Sequence, residues 1–147
     1  MNSIRLRILV LVVLGLALVG AASAQIELKL GHYNAESHPM HTAAVAFADN
    51  VAARTGGAVK VTIFPNSKLG SSQEMLEQAT LGALDIVIPT DSAVAKYSTK
   101  FNLVGAPFAF KDYAATDRFY AGDFLTWVNP DIEQAGLKNL ARGEFGF

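Results

Sequence analysis

Residues 55–91, TGGAVKVTIFPNSKLGSSQEMLEQATLGALDIVIPTD, contain the pattern that decides the fold of this chain. Val59, Val61 and Ile63 alternate with polar residues, and this alternation is typical of a β-strand. Pro65 and Asn66 follow directly and predict a turn. The stretch therefore opens with a strand and a turn.

A helix and a second strand are predicted after the turn. Ser71 and Glu74 have the spacing of a capping box, which satisfies free amide groups at the start of a helix. Residues 86–88 form an unbroken apolar run, as expected of a strand that is covered on both faces. Strand, helix and strand together predict a right-handed βαβ unit. The helix is expected to end near Gly82 and to bury an apolar stripe of Met75, Leu76, Ala79 and Ala83.

The residues before this stretch repeat the alternation of strand and helix. Apolar and polar residues alternate over 26–30 and predict a first strand, which is followed by a loop over residues 31–36. Ser37 is the predicted N-cap of a helix that ends near Arg54, because a pair of glycines follows at 56–57. The order βαβαβ predicts an open α/β domain with a parallel sheet.

The residues after the stretch are predicted in less regular form. Residues 92–97 are expected to form a short helix, and residues 101–106 an extended segment, because a proline follows. Two helices are predicted from Asp112 to about Gly122 and from there to about 136, and a further strand over 137–141. Three aromatic side chains are expected to pack in the core, with a position in the cleft as the alternative for either phenylalanine: Phe108, Phe110 and Trp127.

The first 24 residues are predicted to be a signal peptide, which leaves residues 25–147 as the α/β domain. Arg5 and Arg7 precede an apolar run, and Ala22-Ser23-Ala24 has the pattern of a cleavage site. A membrane anchor is the alternative, but the run is shorter than the ~20 residues that a spanning helix requires. Location in the periplasm is therefore expected.

Charge and cysteine content exclude several functions for the mature chain. Loss of Arg5 and Arg7 with the signal peptide changes the net charge from −1 to −3, which offers no basic surface for nucleic acid. The chain has no cysteine. Disulfides, zinc–thiolate sites, cysteine nucleophiles and lipid attachment to cysteine are therefore excluded.

Polar loops are expected to meet where the predicted strands end. The loops at 32–37, 66–72 and 89–92 leave the carboxyl ends of three parallel strands, where open α/β sheets bind their ligands. Two of these loops lead into helix N-termini, which favour a carboxylate. A small anionic ligand is predicted, although any helix start requires the same capping residues.

A metal site and an enzyme are the alternatives that the residue types suggest. His32, His38 and His41 are close in sequence, but no carboxylate other than Glu36 has a suitable spacing to complete a metal site. The candidate nucleophiles are serines that lie outside any G-x-S-x-G elbow. We therefore expect neither a cofactor nor catalysis, and treat a metal-binding protein or secreted enzyme as the least favoured reading.

Four segments in order resemble one known family. They are G-G-x-V-K-V, P-N-S-x-L-G, E-M-L-E-Q and L-G-A-L-D-I, and the chain from about residue 28 to 147 is similar to the solute-binding proteins of tripartite ATP-independent periplasmic (TRAP) transporters, the DctP-like family. The resemblance implies a periplasmic binding protein-like fold, of which this chain is the N-terminal part and supplies the first lobe of a two-lobe clamshell. It also implies a receptor that passes a small carboxylate to membrane permease subunits without chemical change.

The resemblance also implies which residues contact the solute. They lie in the three polar loops, and some relatives that bind acidic sugars have glutamate at the position of Thr90. An arginine that pairs with the solute carboxylate is expected directly after Gly146-Phe147, so we expect the chain alone to bind solutes weakly. A solute-binding protein of an ATP-driven importer is the second reading. The implied contact residues are His32, Tyr33, Asn34, Ser71, Pro89, Thr90 and Asp91.

Overall fold

A computed structural model describes residues 24–142, so the predicted signal peptide and Gly146-Phe147 lie outside the described residues, apart from Ala24. None of the helices in the described part combines the length and hydropathy of a membrane-spanning segment. Nine elements occur in the following order: β1 Ile26–His32, α1 Pro39–Arg54, β2 Val59–Phe64, α2 Ser72–Thr80, β3 Ile86–Ile88, α3 Asp91–Val94, a 3-10 helix Thr99–Leu103, α4 Tyr113–Ala121 and α5 Phe124–Gln134.

The three strands form one parallel sheet in the order β2-β1-β3. Helix α1 joins the neighbouring strands β1 and β2, whereas α2 joins β2 to β3, on the other side of β1. This arrangement confirms the predicted parallel α/β lobe and its βαβαβ order. Because β1 is central, its carboxyl end lies between those of the other two strands.

The two faces of β1 pack against different helices. Leu30 is buried with Val61 of β2 and Ala44 of α1. A side chain at the neighbouring Gly31 would point to the opposite face, because the side chains of successive strand residues alternate between the two faces. An ideal Cβ on Gly31 would lie 2.8 Å from the sulfur of Met75 in α2. The helices α1 and α2 therefore cover opposite faces of the sheet.

Helix caps agree with the sequence at the starts of α2 and α4 and differ at the start of α1. The capping box of Ser71 and Glu74 is present, as predicted. Helix α1 is capped by His38, whose Nδ1 accepts a hydrogen bond from the Met40 amide at 3.1 Å, so the prediction of Ser37 as N-cap is wrong. Helix α3 is capped by the Thr90 side chain, and Asp91 is the first residue of that helix.

Several predictions about the second half of the chain require correction. Strand β3 is only half-buried along its length, because it pairs with β1 on one side alone among the described residues. Residues 99–103 form a 3-10 helix rather than an extended segment, and residues 137–142 form no strand. Phe108 is fully exposed and Trp127 half-exposed, so neither is a core residue.

The two predicted helices near the end of the described region are confirmed, and they build a second core. Asp112 caps α4, and α5 begins at Phe124. The core buries one side of α5 against the 3-10 helix, and its buried members are Phe101, Phe124, Val128 and Ile132. This cluster is separate from the core beneath the sheet.

Candidate functional site

The three strands end at the same edge of the sheet. In the register of the ladders, Gly31 lies opposite Phe64 and His32 opposite Ile88, so the strands stop level with each other. The loops that follow begin at Tyr33, Pro65 and Pro89. We call this edge the rim. It consists of these loops and the helix starts that follow them.

Hydrogen bonds between main chains join the first two loops of the rim. The Asn66 amide donates to the Asn34 carbonyl at 3.0 Å, and the Ser67 amide donates to the His32 carbonyl at 3.2 Å. A weak ion pair of Lys68 with Glu36, at 3.8 Å, joins the same two loops on their exposed side. The loop after β1 is therefore tied to the loop after β2.

A side chain joins the third loop to the rim. The Thr90 amide donates to Ser72 Oγ at 2.7 Å, which ties the loop after β3 to the start of α2. The segments that contain Tyr33, Ser71 and Thr90 thus belong to one hydrogen-bonded edge, as the sequence predicts. Contact of these side chains with a solute remains a prediction.

Topology identifies the part of the rim where a ligand pocket is expected. The connection from β1 leads to α1 on one face of the sheet, whereas the connection from β3 leads to α3, which contacts α2 on the other face. Open α/β sheets bind ligands in the crevice at such a switch point. The residues on its two sides are Tyr33 and Asn34 after β1, and Pro89 and Thr90 after β3.

Capping already engages the amide groups at each helix start of the rim. Ser71 Oγ accepts from the Glu74 amide at 3.3 Å, and the Glu74 carboxylate accepts from the Ser71 amide at 2.7 Å. The hydrogen bond from the Ser71 amide lowers the pKa of Glu74, so an anion already occupies the start of α2. Thr90 Oγ1 accepts from the Ala93 amide at 3.3 Å. Ser71 therefore acts as a cap, the alternative considered from the sequence, and Thr90 caps α3.

His32 does not present its side chain to a solute. The ring has no exposed surface, and its Nε2 lies 3.1 Å from Nδ1 of His41 in α1. The prediction that the His32 side chain contacts the ligand directly is therefore not supported. Asn34 is also buried, whereas Tyr33 and Pro89 are half-buried and Ser71 and Asp91 are exposed.

The pairing of His41 with His32 is a part of this site that the sequence did not predict. His41 was considered only as a possible metal ligand next to His38. The signal that points to the pair is the placement of one histidine at a strand end and another in the first turn of the following helix. Among the described residues, no group of three or more histidine or carboxylate side chains is arranged to hold a metal ion.

Burial and charge change the pKa of two rim groups. Desolvation lowers the pKa of His32 from its ordinary value of 6.5, and a proton on His41 or, more weakly, on His38 lowers it further. The Asn34 main chain has a smaller effect in the opposite direction. Desolvation raises the pKa of Asp91, although its surface is exposed.

The lowered pKa of His32 predicts that the protein is less stable in acid. The unfolded chain binds a proton near the ordinary value of 6.5 and the folded chain only below it, so His32 favours folding fully above 6.5. This contribution is lost as the pH falls from 6.5 through the folded pKa. Urea denaturation should therefore show a lower free energy of unfolding at about pH 5.5 than at about pH 7.5.

The variant His32→Gln isolates this contribution. Its free energy of unfolding should depend less on pH than that of the unchanged protein, because the buried titrating ring is removed. Taking the difference between the two proteins cancels the opposite effect of Asp91. Equal pH dependence in both proteins would contradict the assignment.

The parallel sheet with its polar rim defines a lobe of the α/β binding-protein class. Residues 30–147 match the family described as bacterial extracellular solute-binding protein, family 7 (DctP). The chain therefore belongs to this family.

One curated relative and two solved structures illustrate the similarity. The C4-dicarboxylate-binding protein DctB of Bacillus subtilis is 33% identical over 123 residues, which are 84% of this chain and 35% of the relative. A TRAP periplasmic solute-binding protein of Sulfurospirillum deleyianum with bound succinate aligns with a TM-score of 0.72 and 26% identity, over 77% of this chain and 36% of that one. A protein of the same description from Roseobacter denitrificans with bound L-galactonate aligns with a TM-score of 0.71 and 28% identity. The alignment covers 75% of this chain and 36% of that one.

The matched region is a part of each relative. The chain spans between 35% and 42% of the length of the curated relatives that it matches. The ligands of those whole proteins can therefore only be proposed for this chain.

Proposed function

We propose that the chain is part of a periplasmic receptor of a TRAP transporter, which binds a small organic acid and delivers it to the membrane permease. The observation that supports this most directly is the single hydrogen-bonded rim formed by three polar loops at the carboxyl edge of the sheet. Family membership supports the same reading, because relatives are named or solved with succinate, L-galactonate or C4-dicarboxylates. The predicted signal peptide of residues 1–24 agrees with a periplasmic location.

Binding is proposed to occur without chemical change. The hydroxyl groups at the rim serve as helix caps or bond to main-chain amides, as Ser71, Ser72 and Thr90 show. Among the described hydrogen bonds, none joins these three hydroxyl groups to a histidine or carboxylate that could activate a nucleophile. The solute is proposed to lie between six residues of the rim, of which the last two are exposed: Tyr33, Asn34, Pro89, Thr90, Ser71 and Asp91.

Thermal-shift and calorimetric titration of the complete receptor, of which this chain is proposed to be a part, with succinate and L-galactonate tests the proposal. An increase of Tm with either acid supports the receptor, because a ligand that binds the folded state stabilises it by mass action. The amide of the same acid is the control, since it lacks the charge and should bind more weakly. A shift only with zinc that a chelator abolishes, or no shift with any organic acid at millimolar concentration, would contradict the proposal.

Two conservative variants locate the binding site on the rim. Tyr33→Phe and Thr90→Val each remove one hydroxyl, and each should weaken binding by about tenfold or more, since a hydrogen bond to a charged group contributes about 1.5–3 kcal/mol. The matched controls are Tyr113→Phe in α4 and Thr90→Ser, which keeps the hydroxyl. Unchanged affinity in both test variants would place the solute elsewhere.

A further inference from the structure

We infer that the buried pair of His32 and His41 holds the rim loops in place, and that a proton taken up by the pair releases them. This inference rests on the proposed function only where it concerns the solute. His41 acts here as a positioning residue, because it reaches the loops through His32.

The contact between the rings requires one shared hydrogen. Nε2 of His32 and Nδ1 of His41 are 3.1 Å apart, so one nitrogen donates and the other accepts. If both nitrogens carried hydrogens, two donors would face each other. The contact therefore depends on how the two rings are protonated.

The described charged groups around the pair do not neutralise an added charge, and the Asn34 main chain offsets it only in part. On the sheet side, His32 lies opposite Ile88 of β3, which is apolar. Helix α1 and its cap contribute His41 and His38, both of which oppose a proton on His32. In the adjoining loops, Lys68 and Glu36 pair with each other and are exposed. Because a buried charge without a partner is costly, protonation favours any movement that admits water to the ring.

The movement that admits water would loosen the rim. His32 is the last residue of β1, and its carbonyl accepts the Ser67 amide, while the Asn34 carbonyl accepts the Asn66 amide. Displacing His32 from His41 strains both bonds between the first two loops. The same displacement moves Tyr33 and Asn34, which flank the proposed solute position. Solute affinity should therefore decrease in acid.

Hydrogen exchange of the two loop amides tests the inference without any ligand. From about pH 7.5 to pH 5.5, the protection of the Asn66 and Ser67 amides, corrected for intrinsic exchange, should fall about tenfold for each pKa unit by which the pair differs between the tied and released states. The amides of the β1–β2 ladder should keep their protection. His32→Gln should remove the response, because glutamine does not titrate.

A second set of variants keeps the test decisive if His32→Gln does not fold. His41→Ala, at a partly exposed position of α1, should lower the protection of both loop amides about tenfold already at neutral pH, and His41→Gln should restore it. His38→Asn retains a capping side chain and should behave as the unchanged protein. Protection that is independent of pH, or unchanged in His41→Ala, would overturn the inference.

Titration of the complete receptor with L-galactonate at both pH values then separates the inference from the proposed function. A sugar-acid carboxylate stays ionised over this range, so the affinity change reports on the protein. About tenfold weaker binding in acid, absent from His32→Gln, supports the inference. If no acid binds at either pH, the proposed function fails, and the amide protection still decides whether the histidine pair holds the loops.

Discussion

Replacing Leu30 with alanine is expected to lower the free energy of unfolding by about 2–5 kcal/mol. Leu30 lies in the middle of the central strand, retains 2% of its surface and packs with Ala44 and Val61. Truncation removes apolar contacts and leaves a cavity between the sheet and α1. Urea denaturation monitored by circular dichroism measures the effect, with the slope m as a check on two-state behaviour.

The matched control for this prediction is Leu81→Ala. Leu81 is 83% exposed at the end of α2, so its truncation should change the free energy of unfolding by less than about 0.5 kcal/mol. The position of Leu30 next to the rim adds a second readout, because its loss should also reduce the protection of the loop amides. Equal effects of the two substitutions would contradict the assignment of α1 to this face of the sheet.

Replacing Gly31 with valine is expected to be the most damaging change on the other face. Even the first added carbon would lie 2.8 Å from the Met75 sulfur and 3.2 Å from a Leu84 methyl group. Overpacking of this kind costs about 1–3 kcal/mol, and branching at the Cβ places valine at the upper end of that range. The free energy of unfolding should fall accordingly in the same denaturation experiment.

A double variant tests whether steric crowding is the cause. Met75→Ala removes the closest side chain, so combining it with Gly31→Val should cost less than the sum of the two single effects. Gly105→Ala is the control, because no atom lies within 4 Å of the added carbon. Strict additivity in the double variant would show that α2 does not pack against Gly31.

Local patterns in the sequence determined most of the elements that build the lobe. The alternation around Val61 predicted β2, and the spacing of Ser71 and Glu74 predicted the start of α2, because these features depend on residues only a few positions apart. Asp112 likewise predicted the start of α4. The parallel direction of the strands then followed from the rule that strands joined by a crossover helix run in the same direction.

Other features depended on residues far apart in the chain. The local preference of Pro107 predicted an extended segment where packing of Phe101 in the second core favours a 3-10 helix. The run at 86–88 indicated full burial, but burial depends on how many strands and helices lie beside it. Phe108 is apolar and still fully exposed, since hydrophobicity alone does not determine position.

In the candidate site, too, some features follow from the local sequence and others only from the tertiary structure. The residue types and the strand ends were enough to place three polar loops at one edge, because parallel strands end together. Only the tertiary structure decided that the His32 ring turns inward to meet His41, while Tyr33 remains half-buried at the rim. The face to which a strand-end side chain points, and the helix that it meets there, are fixed by packing across the sheet.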